Sequence, residues 1–374
     1  MRIQVESQAG TIGFEVQADR LVAAWPGPPE SPEGDLAPRV RAALEASIDY
    51  PPLRSVVVPG DRVVVPFDLG WPEAPTFLAE VAAVLRDVGV ESIKAIVDGR
   101  RPDRPTLPLP EGVELVVHDP EDRESLAYLA STAADRRVYL HRLVADADCV
   151  VPIGRIGFDP AFGVAGPWTT IEPGLSDKEP PGISLLAPAE RPASALALAE
   201  AIEVAWLLGC QYQVGAIAGR TGILEVLAGQ TDAILARGTS RLESAWSFEA
   251  DDQADLVVVG VGSPERAGSP RDLVAAVRRG LRCVRRGGKL VVLSGLDSEA
   301  LAEAVRGDLV PRGDWAKAFA RADLYLASAA TPDEAENLGF TALDRPEQAG
   351  KLAATAPSVI AFGQADRARP IVAE

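Results

Sequence analysis

Short runs of β-branched residues alternate with helical stretches along most of this 374-residue chain, and that alternation constrains the fold more than any other feature. RVVVPFD, SIKAIV and VELVVH in the first half, and ADLVVVG, KLVVL and SVIAF in the second, are short and nearly continuous in apolar character. Runs of this kind read as strands of a parallel sheet whose two faces are both covered. Between them lie PTFLAEVAAVLRDVGV, with a proline near its start and Gly89 as its stop, ALALAEAIEVAWLLG and DLVAAVRRGLRCVRRG, all with helical periodicity. Strands and helices in this order predict an α/β fold of doubly wound, mostly parallel sheets.

A chain of this length exceeds what one core usually organises, so two domains with a cleft between them are expected. The acidic, polar stretch near 248–252 sets the boundary, giving an N-terminal α/β domain over 1–248 and a C-terminal one over 252–374, with the last residues packing back on the first. Residues 2–17 read as a hairpin turning at Ala9-Gly10, and a helix is predicted over about 40–48. Hydrophobic residues at 47% and charged residues at 24% suffice for folding by core burial. The formal charge of −17 is spread along the chain, which argues against nucleic acid or an anionic membrane as a partner. The N-terminus has no apolar core of a signal peptide and no run reaches the length of a membrane span, so a cytoplasmic location is expected. Cys149, Cys210 and Cys283 form neither a disulfide framework nor a CxxC site and read as small hydrophobes.

The stretch 146–177, DADCVVPIGRIGFDPAFGVAGPWTTIEPGLSD, carries glycines at 154, 157, 163, 166 and 174 and prolines at 160, 167 and 173. This punctuation predicts a shaped loop after a buried strand, without regular helix or strand, and Phe158, Phe162 and Trp168 predict that it is ordered. Ligands of α/β proteins gather at loops after strand ends. By that rule Asp68, Arg100, Arg101 and Asp159 project into one cleft, although each alone also reads as surface charge. Arginines there could grip a carboxylate, and aspartates could orient a hydroxyl or accept its proton. His118 and His141 are the only histidines, so one chain cannot build a three-histidine metal site, and each reads as an edge-of-core residue. No metal ligand is assigned. GVGSPERAGSP lacks the spacing of a dinucleotide fingerprint, and neither a Walker A motif nor a GxSxG elbow is present.

The order of these motifs resembles the lactate racemase family over roughly residues 55 to 295. FDLGWP resembles the family's Asp-x-Thr-Arg-Pro loop and IVDGRRP its Gly-Thr-His-Arg loop. ADADCVVPIGRIGFDPAFGVAGPWTTIEPG resembles the segment from a metal-binding histidine through a glycine-rich lysine loop to Pro-Gly. The family's characterised members carry a nickel-pincer nucleotide and racemise 2-hydroxy acids. The resemblance therefore implies an isomerase, a racemase or epimerase acting on a small 2-hydroxy acid. Asp68 matches the family's aspartate and would orient substrate, Arg101 stands for the histidine and would bind its carboxylate, and Asp159, at the metal-binding histidine, is the remaining candidate base. Trp71 stands where the family has arginine and falls with Arg100 in the implied substrate site. Gly163, Gly166, Trp168 and Thr169 fall in the cofactor loop, with Thr169 at the anchoring lysine. The family implies a nickel-pincer nucleotide, but its ligand residues are not retained here, so the cofactor is left unknown. The alternative is a non-catalytic protein that binds a small anion, a carboxylate or hydroxy acid, on the same scaffold.

Overall fold

The computed structural model describes residues 1–100, 109–186 and 192–373. The chain opens with the hairpin Arg2–Ser7 (β1) and Gly10–Glu15 (β2), registered from Arg2 opposite Glu15 to Ser7 opposite Gly10, and continues into Leu21–Trp25 (β3). Leu36–Glu45 (α1) follows, capped by Asp35, whose carboxylate accepts from the N–H of Ala37. The first parallel unit is Arg62–Pro66 (β4), Ala74–Val88 (α2), Ser92–Asp98 (β5) and Val113–His118 (β6). Within α2, Phe77, Leu78, Val81, Ala82 and Leu85 fall on one face and are buried. Burying each of the larger side chains contributes roughly 1.5–3 kcal/mol. Gly89, at φ 85°, stops the helix in the left-handed conformation that only glycine adopts without strain. Leu126–Ser131 (β7), Arg137–His141 (β8), the single turn Arg142–Ala145 (α3) and Cys149–Val150 (β9) lead to the central stretch.

That stretch corrects the sequence reading. Ile153–Asp159 (β10) is a regular strand and turns back through Gly163–Ala165 (β11), with a 3-10 turn over Pro167–Thr170. Glycine in a strand marks a close approach as readily as a break. A Cβ on Gly154 would lie 3.0 Å from the backbone of Pro167, so the glycine lets the following turn pack flat on the strand.

Pro192–Leu207 (α4), Tyr212–Ala218 (β12), Ile223–Gln230 (β13), Thr231–Trp246 (α5) and Ser247–Ala250 (β14) complete this half. The second parallel unit is Ala254–Gly260 (β15), Pro270–Cys283 (α6) and Val284–Leu293 (β16). Ser298–Arg306 (α7), Asp314–Arg321 (α8), Asp323–Ala327 (β17), Pro332–Asn337 (α9), Thr341–Ala342 (β18), Gln348–Thr355 (α10), Val359–Phe362 (β19) and Arg369–Val372 (β20) follow.

The result is an α/β protein of two lobes. One sheet runs β6-β5-β4-β9, and a bridge from Phe67 to Ile153 links it to β11-β10-β12-β13. The other runs β18-β17-β16-β15-β19-β3, all parallel. The first residues of the chain thus join the second sheet. Beyond β3, the hairpin shares a buried cluster with Leu256, Val258 and Val291, and the N–H of Gln8 donates to Val261 O at 2.8 Å. From β4 in the first sheet, and from β15 in the second once β3 has been laid at its edge, the chain builds outward on one side and returns on the other. Such reversals open a crevice at the carboxyl ends of the two flanking strands. No described helix is long and apolar enough to cross a membrane.

Candidate functional site

Charged side chains from both reversal points meet between the lobes. Arg266 lies in the loop after β15, where its guanidinium pairs with Asp366 through Nη2 and with Asp272 through Nη1 at 3.2 Å. Asp366 and Arg367 lie in the loop after β19, and the Nε of Arg367 is 3.7 Å from the Asp366 carboxylate. Asp366 is fully shielded from solvent and also accepts from the N–H of Gly262 at 2.8 Å. Asp272 stands in the first turn of α6, in a capping box with Ser269. From the other lobe, Arg155 on β10 feels both Asp68, in the loop after β4, and Arg266. Burial, and then Arg266, push the Arg155 guanidinium below its ordinary value. Burial with repulsion from Arg155 and Arg266 does the same to Arg367, more strongly.

Helix α6 ties this crevice together. Arg271 pairs with Asp159 on β10 at 3.1 Å, and Arg279, buried, donates to Ala365 O at 3.0 Å and to Phe158 O at 3.1 Å. Burial lowers the Arg279 guanidinium to about 10. Two arginines on one helix therefore hold the end of β10 against the loop after β19.

Of the residues expected from sequence, Asp68 and Asp159 do enter this network. Asp68 also accepts from the N–H of Gly70 at 2.9 Å, which fixes the turn after β4. Burial pushes the Asp159 carboxyl up, but Arg271 and the N–H groups of Ala161 and Phe162 outweigh it and hold the group below its ordinary value. A carboxylate held this way is a weak proton acceptor. Trp71 is a core residue packed edge-on against Phe77 at 4.8 Å. Arg100 is a staple: it binds Asp98 at 2.8 Å and donates to Lys178 O and Pro173 O, pinning the end of the central stretch. Trp168 is fully buried, and a Cβ on Gly166 would lie 2.5 Å from its ring. Thr169 Oγ1 donates to Gly166 O at 2.7 Å, and Gly163, at φ 72°, forms the exposed β10–β11 turn. Arg101 lies outside the described residues.

The two histidines, read separately from sequence, meet below this stretch. Their rings stack edge to face with centroids 5.6 Å apart, and His118 Nε2 lies 3.2 Å from Ser176 O. Burial lowers both imidazoles; Arg100 adds to this at His118 and His118 itself adds at His141, while Asp98, Asp119 and Asp122 oppose. Below the unfolded value of about 6.5 the unfolded chain takes up protons that the folded one refuses, so stability falls as pH drops toward the folded values. Each histidine adds a slope of at most about 1.4 kcal/mol per pH unit. Buried Glu172, whose carboxyl is raised by desolvation, acts with the opposite sign. Urea midpoints at about pH 7 and about pH 5.5 should therefore converge when both histidines are replaced by glutamine. An undiminished pH dependence in that double variant would exclude them as its source.

This is a two-lobed α/β protein with a partly buried cluster of arginines and aspartates at the strand-order reversals of both sheets. Residues 106–180 match the family model of the lactate racemase N-terminal domain. The whole chain superposes on the whole of the lactate racemase apoprotein from Thermoanaerobacterium thermosaccharolyticum with a TM-score of 0.74 at 15% identity. A crystal structure of a Thermotoga maritima protein is matched in full by 91% of this chain, with a TM-score of 0.63 at 11% identity. No curated protein matches the sequence. The chain is lactate racemase-like in fold, and the family's N-terminal signature falls on the segment that holds β10 and Trp168.

Proposed function

We propose that this protein binds a small organic anion, of the hydroxy-acid or carboxylate class, in the crevice between its lobes, without nickel-pincer chemistry. The observation that carries the reading is the convergence of Arg155, Arg266, Arg271, Arg279 and Arg367 on a site with four described aspartates, Asp68, Asp159, Asp272 and Asp366. Buried guanidinium in excess of carboxylate is costly to desolvate and is relieved by an anionic ligand.

The residues present do not fit a lysine-anchored pincer nucleotide. Thr169, where the resemblance puts the lysine, has no amine, and its hydroxyl closes a turn onto Gly166. Asp159, where it puts a metal-binding histidine, is committed to Arg271. Among the described residues no group of three or more His, Cys, Asp or Glu is placed to hold a metal ion. The racemase reading would also need a stronger proton acceptor than Asp159.

The test is calorimetry with L-lactate, D-lactate and glycolate, beside chiral analysis of lactate incubated with protein produced together with the pincer-cofactor biosynthetic enzymes. Binding without interconversion is expected. Racemisation, with stoichiometric nickel in native mass spectrometry, would establish the enzyme instead.

A further inference from the structure

We infer that the crevice selects an oxyanion with three terminal oxygens, a phosphoryl or sulfo group, held by Arg155, Arg266 and Arg367; this rests on the small-anion reading above. Among the described residues, three buried N–H-bearing atoms there have no acceptor: Nη1 of Arg155, Nε of Arg266 and Nε of Arg367. They come from three segments, β10, the loop after β15 and the loop after β19, and the three guanidiniums lie close enough to repel one another.

The carboxylates on hand do not meet this demand. Asp272 and Asp366 both bond to Arg266, Arg367 reaches Asp366 only at 3.7 Å, and among the described residues Arg155 forms no ion pair. A buried donor without an acceptor costs about 1–3 kcal/mol, so a ligand that supplies oxygens to three such donors recovers that loss at each. A carboxylate offers two oxygens in one plane, which one guanidinium fork satisfies. Three donors arriving from three segments match a tetrahedral group better. Helix α6 starts beside them, and its N-terminal dipole adds to the preference for negative charge, although Asp272 already occupies part of that end.

The ligand is then either free phosphate or the phosphate ester of a small acid. Calorimetry at low ionic strength with inorganic phosphate, 2-phosphoglycolate and glycolate separates these. Phosphate and phosphoglycolate should each bind at least about tenfold tighter than glycolate. Tighter binding of phosphoglycolate assigns the ester, and equal binding assigns free phosphate. Arg155→Gln and Arg367→Gln should each weaken phosphate binding by about tenfold or more while far-ultraviolet circular dichroism stays unchanged. Arg155→Lys, which keeps the charge and loses the fork, provides a second variant and should fall between. Glycolate binding as tightly as phosphoglycolate overturns this inference and leaves the small-acid reading standing. Absence of binding by all three overturns both, and undiminished affinity in the arginine variants removes those residues from the site.

Discussion

Asp366→Ala should destabilise the protein by about 3–5 kcal/mol, the range for deleting one partner of a buried ion pair. The Asp366 side chain is fully shielded; one oxygen accepts from the N–H of Gly262 at 2.8 Å, and the other faces both Arg266 and Arg367. Alanine would leave Arg266 with Asp272 alone and Arg367 with only the charge of Asp272, which Arg266 already shares, and both guanidiniums are already largely out of water. The loss is mainly the exposed cost of two buried charges rather than of one bond. Asp366→Asn should fall in between, since the amide oxygen can still accept from Gly262 while the charge is gone. Urea denaturation followed by circular dichroism measures both variants. A loss below about 1 kcal/mol for alanine would mean that water or a rearranged Asp272 compensates, and the crevice would be softer than its burial indicates.

Much of the scaffold can be read from sequence because buried parallel strands announce themselves. RVVVP, SIKAIVD, VELVVH and ADLVVVG each became strands; runs of β-branched residues suit a sheet covered on both faces, which holds for β4 and β15, while β6 is a partly exposed edge strand. The stretch 146–177 was harder. Its glycines read as breaks, yet Gly154 is there because another segment packs against the strand, a contact that lies 13 residues away in sequence and has no local signature.

The site was legible in part, and the residues show why. Asp68, after β4, and Asp159, at the end of β10, were expected by the rule that ligands gather at strand ends, and both join the charged cluster. Arg266 and Arg367 occupy the corresponding places after β15 and β19, where the same rule, applied to GVGSPER and FGQADR, would have found them. Arg155 stands inside a strand, and nothing in IGRIGFD tells a buried arginine from a solvated one. Arg278 and Arg279 read as the charged outer face of a helix, but only 5% and 7% of their surface is exposed, because α6 is covered on that side too. Trp71 and Trp168, expected at the site, are buried in the core.

Trp168→Ala should cost about 3–5 kcal/mol, as for other fully buried aromatic residues. Its ring is closed off from solvent and lies over Gly166, in the same buried cluster as Ile156, Val164 and Ile183. Its carbonyl accepts from the N–H groups of Ile171 and Glu172, each at 3.2 Å, so the residue anchors both faces of the turn that carries Thr169. The backbone bonds survive truncation, but the cavity beneath them would not. Trp168→Phe separates the two contributions of the ring. The indole Nε1 is buried without an acceptor among the described residues, so phenylalanine removes an unsatisfied donor while retaining most of the apolar contact. A much smaller loss than for alanine is therefore expected in urea midpoints. If phenylalanine proved as damaging as alanine, the indole N–H would have to be bonded in solution, and the space beside Trp168 would then be polar rather than packed.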